Sequence, residues 1–330
     1  VYKRQIMHVT ENSISGTEDP CLSFEGEQRI GETAAPSAFP DGIVVVTIFN
    51  NDLEGEEPME IDDKRGTDDL VDNSLGIYYA GHNTSRSDSD GSDGAIEVEA
   101  RARWAAILVE RNFTGGGGQD TSEAGLELDS NDGATGSARI LNNIATMASG
   151  GGITMDPDGP QWQVVNNTIA YGAQDSTYGL EQDQNWEAGD LQAYILNCIA
   201  SHNGGGDAEE EEGVRPHWSL VRDQSPVTFP ENLDGEPFYA KDLDDLREFG
   251  DVLSNDALDG LFTLRSTSPC VDAGHPDARY DDPDGTRNDM GAYGGPNAGP
   301  IGALSAGDEM PFVFVGSPHA RLWTGNPLLD

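Results

Sequence analysis

Between Ala138 and Asn203 the sequence repeats one short phrase three times. It reads Ile140-Leu141-Asn142-Asn143-Ile144-Ala145, then Val164-Val165-Asn166-Asn167-Thr168-Ile169-Ala170, then Ile195-Leu196-Asn197-Cys198-Ile199-Ala200. Aligned on their Ile-Ala pairs, the copies lie 25 and 30 residues apart. That period is too long for a hairpin and suits one turn of a solenoid. Each copy is a short apolar, β-branched run carrying Asn, followed by a small or Gly-rich turn such as Gly150-Gly151-Gly152 or Gly204-Gly205-Gly206. Such a unit reads as one rung of a parallel β-helix. One rung cannot bury its inward face, but rungs stacked at about 4.8 Å bury a continuous apolar column, so Val, Ile and Leu recur at equivalent positions. Asn recurs because its amide both donates and accepts and can form a ladder where the chain bends. The ladder is assigned to Asn112, Asn143, Asn167 and Asn197, with Ile144, Ile169 and Ile199 lying over one another. Cys198 is read as an Ile- or Val-like packing position.

Other runs extend the stack. Gly42 to Asn51 is strongly β-prone and is read as the first clear rung. Leu75 to Ala80 and His217 to Val221 read as short strands, and Ala95 to Glu99 alternates apolar and acidic side chains as a half-buried strand does. Asn112-Phe113 falls 31 residues before Asn143-Ile144, in phase with the central rungs. Residues 1–5 are what the codons GTG-TAT-AAG-AGA-CAG encode, the transposon end used to tag sequencing libraries. They are read as an adapter scar on a metagenomic reading frame, with the true N-terminus and any signal peptide upstream. The division that follows is an irregular lead-in at 6–40, rungs at 41–225, a capping segment at 226–296 and a tail or linker at 297–330. Within the capping segment, Lys241 to Phe249 reads as a short helix, with a last pair of strands at Leu261 to Leu264 and Ser268 to Asp272.

The rungs resemble the right-handed parallel β-helix repeats of many secreted bacterial and archaeal proteins. Ser268-Pro269-Cys270-Val271-Asp272-Ala273-Gly274 and the stretch Asp282-Pro283-Asp284-Gly285-Thr286-Arg287-Asn288-Asp289-Met290-Gly291-Ala292-Tyr293-Gly294-Gly295 are similar to the C-terminal signature of the choice-of-anchor class of those proteins. The resemblance spans about residues 40 to 296. It implies an all-β, right-handed single-stranded parallel β-helix with a C-terminal cap and an extracellular or cell-surface address. It implies an activity far less firmly, because the scaffold hosts lyases, hydrolases, adhesins and inert surface proteins.

Charge narrows the partners. Lys+Arg 18 against Asp+Glu 60 gives a formal charge of −42, which argues against nucleic acid, whose binding needs Lys and Arg to displace counterions. A diffuse acidic surface with only Lys3, Lys64 and Lys241 as lysines fits either a salt-rich habitat, where the Debye length shrinks to about 3 Å at 1 M, or an acidic secreted protein that binds divalent cations. Cys21, Cys198 and Cys270 have no metal-type spacing, and a bridge from Cys21 or Cys198 to Cys270 stays open. No apolar run approaches the roughly 20 residues of a membrane span. A monomer is expected.

Candidate sites follow from chemistry. Asp281, Asp282, Asp284 and Asp289 gather hard oxygen ligands of the kind that Ca²⁺ takes, although Asp-Pro-Asp-Gly also fits a type I turn residue by residue. A lyase would need a base such as Arg139, Arg215, Arg222, His202 or His217; a hydrolase would need carboxylates, supplied by Asp156, Asp158, Asp175, Asp183 and Asp190. Tyr171, Tyr178, Trp186 and Trp218 can stack on sugar rings or pad the outside of the coil. Sequons stand at Asn83, Asn112 and Asn166. Two functions remain open: a surface protein that binds polysaccharide or cell-surface glycan, and a secreted polysaccharide lyase or glycoside hydrolase working in a lateral groove.

Overall fold

The computed structural model describes residues 3–17, 22–25, 42–55, 58–62, 72–87, 95–100, 102–116, 125–130, 135–146, 152–155, 161–172, 178–182, 193–208, 214–221, 231–233, 235–242 and 260–304. Their strands stack into three parallel sheets, in each of which every strand pairs with its equivalents one turn away. Sheet 1 runs Lys3–Thr10, Gly42–Phe49, Asp72–Gly81, Ala102–Glu110, Thr135–Leu141, Gln161–Val165, Tyr194–Leu196 and Pro216–His217. Sheet 2 runs Ser13–Thr17, Asp52–Gly55, Thr84–Ser87, Phe113–Gly116, Ile144–Thr146, Thr168–Ala170, Ile199–Ser201 and Leu220–Val221. Sheet 3 runs Leu22–Glu25, Met59–Asp62, Ile96–Ala100, Leu126–Ser130, Ile153–Met155, Tyr178–Gln182 and Gly206–Ala208. One strand from each sheet in turn makes a rung, and the whole is a parallel β-helix, numbered here as rungs 1 to 8. Residues 3–17 and 22–25, in the stretch read from sequence as a scar and an irregular lead-in, form rung 1; Lys3 to Thr10 pair in register with Gly42 to Phe49.

The inward column holds Val46, Ile48, Leu53, Ile61, Tyr78, Ile96, Ile107, Leu126, Ile140, Ile153, Trp162, Val164, Ile169 and Ile195, all buried. At about 1.5–3 kcal/mol for each large apolar side chain removed from water, this column is the main stabilising term. Here the Ile-Ala alignment is corrected. Ile144 pairs with Thr168 and Thr168 with Ile199, while Ile169 pairs with Ala145 and Ala200. Ile144 and Ile199 therefore face outward and Ile169 inward, because a slip of one residue moves a strand's side chains to the opposite face.

Sheets 1 and 2 meet at a two-residue corner. Its first residue lies in the left-handed region, at Asn50, Asn142, Asn166 and Asn197 with φ near 55°, and also at Glu11, His82, Arg111 and Trp218. Asn tolerates that conformation better than most residues. The second residue forms the ladder. Asn143 Nδ2 donates to Asn167 Oδ1 at 3.0 Å and to Val109 O at 3.0 Å, while its Oδ1 accepts from Asn112 N at 2.9 Å and Asn112 Nδ2 at 3.0 Å. The same pattern runs from Asn12 through Asn51 and Asn83 to Asn167. Asn197 is not in the ladder; it is the outward corner residue, and Cys198 takes the inner place. Asn167 Nδ2 meets Cys198 Sγ at 3.9 Å, Cys198 N donates to Ser219 Oγ at 3.0 Å, and Ser219 N donates to Asn232 Oδ1 at 3.1 Å. The column of polar side chains thus runs past residue 225.

Cys198 is a weak acceptor where its neighbours are strong ones. Cys198→Asn restores a donor toward Val164 O and Leu196 O, which now face the thiol at 3.5 and 3.4 Å. The variant is expected to gain about 1 kcal/mol in a urea unfolding curve. Cys198 and Cys270 are unbridged and buried, and burial pushes their thiols up to about 11 and about 12. Cys21 lies outside the described residues.

Among the described residues the C-terminal segment does not form the expected pair of strands. Residues 243–249 lie outside the described residues, and Leu264 makes a single antiparallel bridge to Tyr239. Residues 268–304 instead form turns with one 3-10 turn, Ala278–Tyr280, and run down the side of the coil as a strap. Met290, Ala292, Cys270, Leu261, Phe262 and Tyr239 cover the outward Phe113, Ile144, Ile199 and Leu220, making a second apolar core outside sheet 2.

Candidate functional site

The strap is held by the outward corner residues. Asn197 O accepts from Gly291 N at 2.8 Å and Asn197 Oδ1 from His275 N at 2.7 Å. Asn166 Nδ2 donates to Asp289 O at 3.0 Å, and Asn142 Nδ2 donates to Ala292 O at 2.9 Å and Gly294 O at 2.7 Å. The Arg111 guanidinium donates twice to Asn297 O, Arg111 O accepts from Gly302 N, Thr84 Oγ1 from Ala303 N and Asn50 Oδ1 from Leu304 N. The segment therefore descends from rung 7 to rung 2. Where it crosses rungs 3 and 4 it meets His82 at Gly302, and burial and Arg111 lower the His82 pKa to about 4; on rung 4, burial raises the pKa of Glu110, which accepts from Tyr79 OH at 3.1 Å.

The acidic loop belongs to this strap. Asp282 Oδ2 accepts from Asp289 N at 3.0 Å and its Oδ1 from Gly295 N; Asp289 Oδ1 accepts from Asp272 N at 2.7 Å. Asp284 Oδ1 accepts from Thr286 N at 2.9 Å and Thr286 Oγ1 at 2.6 Å, and Gly285 N donates to Asp282 O at 2.9 Å, closing the turn that Asp-Pro-Asp-Gly encodes. Each of these three carboxylates folds its own loop. Among the described residues no group of three or more His, Cys, Asp or Glu side chains could hold a metal ion.

Burial raises Asp282 to about 6, outweighing its two backbone N–H donors. A carboxyl whose folded pKa exceeds its unfolded value binds more protons when folded, so its contribution is complete below about 4 and lost as pH rises through about 6. Proteolysis within residues 268–304 is expected to slow as pH falls from 7 to 5, and Asp282→Asn is expected to flatten that dependence.

The aromatic candidates are engaged in packing. Tyr171 stacks between His202, at 4.7 Å, and Phe262, at 6.0 Å, and His202 Nε2 lies 2.9 Å from Glu236 Oε2. Trp218 meets the edge of His275 at 5.5 Å and carries the Arg287 guanidinium at 5.3 Å. Tyr178 lies against Gly206 of the next rung, where a Cβ would come within 3.1 Å of its ring. His217 Nδ1 sits 2.6 Å from Glu231 Oε1, an interaction that holds Glu231 below the usual carboxylate range. Arg215 Nη1 donates to Val214 O at 2.9 Å, and Arg139 is buried, which lowers its pKa to about 10. Asp156, Asp158, Asp175, Asp183, Trp186, Asp190 and Arg222 lie outside the described residues. Tyr171 and His202 come together; Arg215 and His217 lie one rung further on. The sequons are closed, since Asn83, Asn112 and Asn166 are all buried.

One array was missed from sequence. On the outer face of sheet 3, Ser23, Glu60, Glu97, Glu127, Thr154 and Glu181 follow one another in register, one per rung. Glu25, Asp62, Glu99 and Asp129 form a parallel row two residues on. The signal was the apolar–acidic alternation of Ala95 to Glu99 repeated in Leu126 to Asp129. Like charges directly opposite on a sheet repel, so the face favours counter-cations at its surface. Compared with known proteins, the chain matches no family model, no curated protein and no solved structure.

Proposed function

We propose that this chain is the β-helix of an extracellular or cell-surface protein of the choice-of-anchor type, which binds polysaccharide through a flat acidic flank and performs no chemistry on it. The observation that carries the reading is the in-register carboxylate row Glu60, Glu97, Glu127 and Glu181, half-buried and facing outward. Glu60, Glu97 and Glu127 follow at about 4.8 Å per rung, with Thr154 between Glu127 and Glu181, and such a row concentrates divalent cations, Ca²⁺ among them, which bridge it to the uronates of an anionic glycan. The acidic composition fits such a role, because dissolved salt screens the repulsion within the row.

The test is sedimentation of the protein with a uronate-containing polysaccharide and with a neutral one, in 1 M NaCl, with and without Ca²⁺. Binding is expected to the uronate polymer, only with Ca²⁺, and to fall at least fivefold in Glu97→Gln/Glu127→Gln. Binding that ignores these substitutions sinks the reading. So does the appearance of unsaturated products or new reducing ends, which would make the protein an enzyme.

A further inference from the structure

Residues 297–304 of the strap are fastened around one histidine. His82, the first corner residue of rung 3, is fully buried and has φ 53°. Phe49 meets its ring edge-on at 5.5 Å, Arg111 Nη1 of the next rung lies 3.3 Å from its Nε2, and the Gly302 backbone meets it from the strap. An arginine can only donate, so Nε2 accepts and the single ring proton sits on Nδ1. The same guanidinium donates to Asn297 O at 2.9 and 2.7 Å, and Arg111 O accepts from Gly302 N at 2.8 Å. Neutral His82 therefore positions the residue that holds the strap at both Asn297 and Gly302.

A proton added at Nε2 removes the lone pair that Arg111 uses and sets two cations 3.3 Å apart in a buried place, where both burial and Arg111 oppose the new charge. The surrounding elements do little to relieve it. From the strap, residues 296–304 carry no titratable side chain, and Asn50 on the neighbouring corner is neutral. From sheet 1, Tyr79 and Glu110 stand beside Arg111, with Tyr79 OH bonded to Glu110. Burial raises the pKa of both, so the phenol stays neutral and the carboxyl gains a proton more readily than usual as the medium turns acid.

We propose that His82 is an acid-released latch: its protonation drives Arg111 off Asn297 and frees residues 297–304, lifting Ile301 from the core around Phe113, while residues 282–295 stay on rungs 5 to 7. A pKa of about 4 when docked, against the usual 6.5, means that the docked state binds fewer protons. Docking of residues 297–304 then weakens as pH falls through 6.5, and the loss is complete below about 4. Between pH 7 and 5 the docked-to-open ratio falls about 20-fold. Asp282 acts in the opposite direction on its own loop. The slowed proteolysis expected from it is read at Arg279 and Arg287, since residues 297–304 hold no charged side chain.

The test is amide hydrogen exchange of the full chain, expressed as protection at pH 7, 6 and 5. Gly302, Ala303 and Leu304 donate to Arg111 O, Thr84 Oγ1 and Asn50 Oδ1 and report the latch; Gly291 and Gly295 donate to Asn197 O and Asp282 Oδ1 and report the other half. The expected result is a fall of about 20-fold at residues 302–304 and none at Gly291 and Gly295. His82→Asn is expected to flatten that fall and Glu110→Gln to keep it. Asn already holds the same left-handed corner at Asn50, Asn142, Asn166 and Asn197, so the variant retains the turn. An NMR titration of the His82 ring in the unaltered chain needs no substitution, and its midpoint is expected where residues 302–304 lose protection. A fall that persists in His82→Asn, or a ring that titrates with no change at residues 302–304, overturns the proposal. Loss in both halves together overturns it in favour of general acid unfolding, and loss abolished by Glu110→Gln in favour of that carboxyl.

Discussion

Asn143→Ala is expected to lower stability by about 3–5 kcal/mol, read as a shift in the urea midpoint at unchanged slope. The side chain is fully buried and makes four hydrogen bonds, and its loss takes away the Oδ1 that accepts from the buried Asn112 N. Alanine also leaves a void in a column of stacked amides. The same substitution at Asn12, where the ladder is only partly buried, should cost no more than about 1 kcal/mol. Equal costs at the two positions would mean that burial is not what gives the ladder its weight.

Gly294→Val is expected to lift the strap and cost about 3 kcal/mol or more. A Cβ at residue 294 would lie 1.8 Å from Asp289 O and 3.0 Å from Asn166 Nδ2, both parts of the fixed strap–corner contact, so the backbone must move. Moving it breaks the Asn142 bonds to Ala292 O and Gly294 O and uncovers Phe113, Ile144 and Ile199. The readouts are the thermal midpoint and the binding of a dye that fluoresces on exposed apolar surface. Gly285→Ala is the control. Gly285 has φ +83° but nothing within 4 Å of its Cβ position, so only backbone strain of about 1–2 kcal/mol is expected, with no gain in dye binding.

The coil was legible because inward positions repeat. Val, Ile and Leu return once per rung beside an Asn, and no other architecture asks for that at this period. The alignment slipped at the middle copy for a physical reason. Outside sheet 2 the strap buries Ile144 and Ile199, so both faces are apolar there and alternation no longer tells inside from outside. Pairing the second residue of each corner, Asn143 with Asn167 and then Cys198, would have placed the register, but the Cys hid it. Rung 1 was missed because it keeps polar residues such as His8 and Thr10 exposed on its outer side, which blurs the apolar run. The strap itself was illegible as a strap. It is held by backbone carbonyls and glycines meeting residues 78 to 254 positions away, which leave no periodic trace in the sequence. The carboxylate rows were visible as single alternating strands, yet only the rung register turns them into one flank.

The strap also sets an order of assembly. Each rung closes on one about 30 residues earlier, so coils can accumulate one after another as the polypeptide emerges, with small loop-closure penalties. The contacts from Asn50, Thr84 and Arg111 to residues 297–304 must wait until those residues have been made, long after the rungs they hold. Growth comes first and locking last, so a chain interrupted during synthesis would hold its winding but leave its flank unsealed, a state that a protease could recognise and remove.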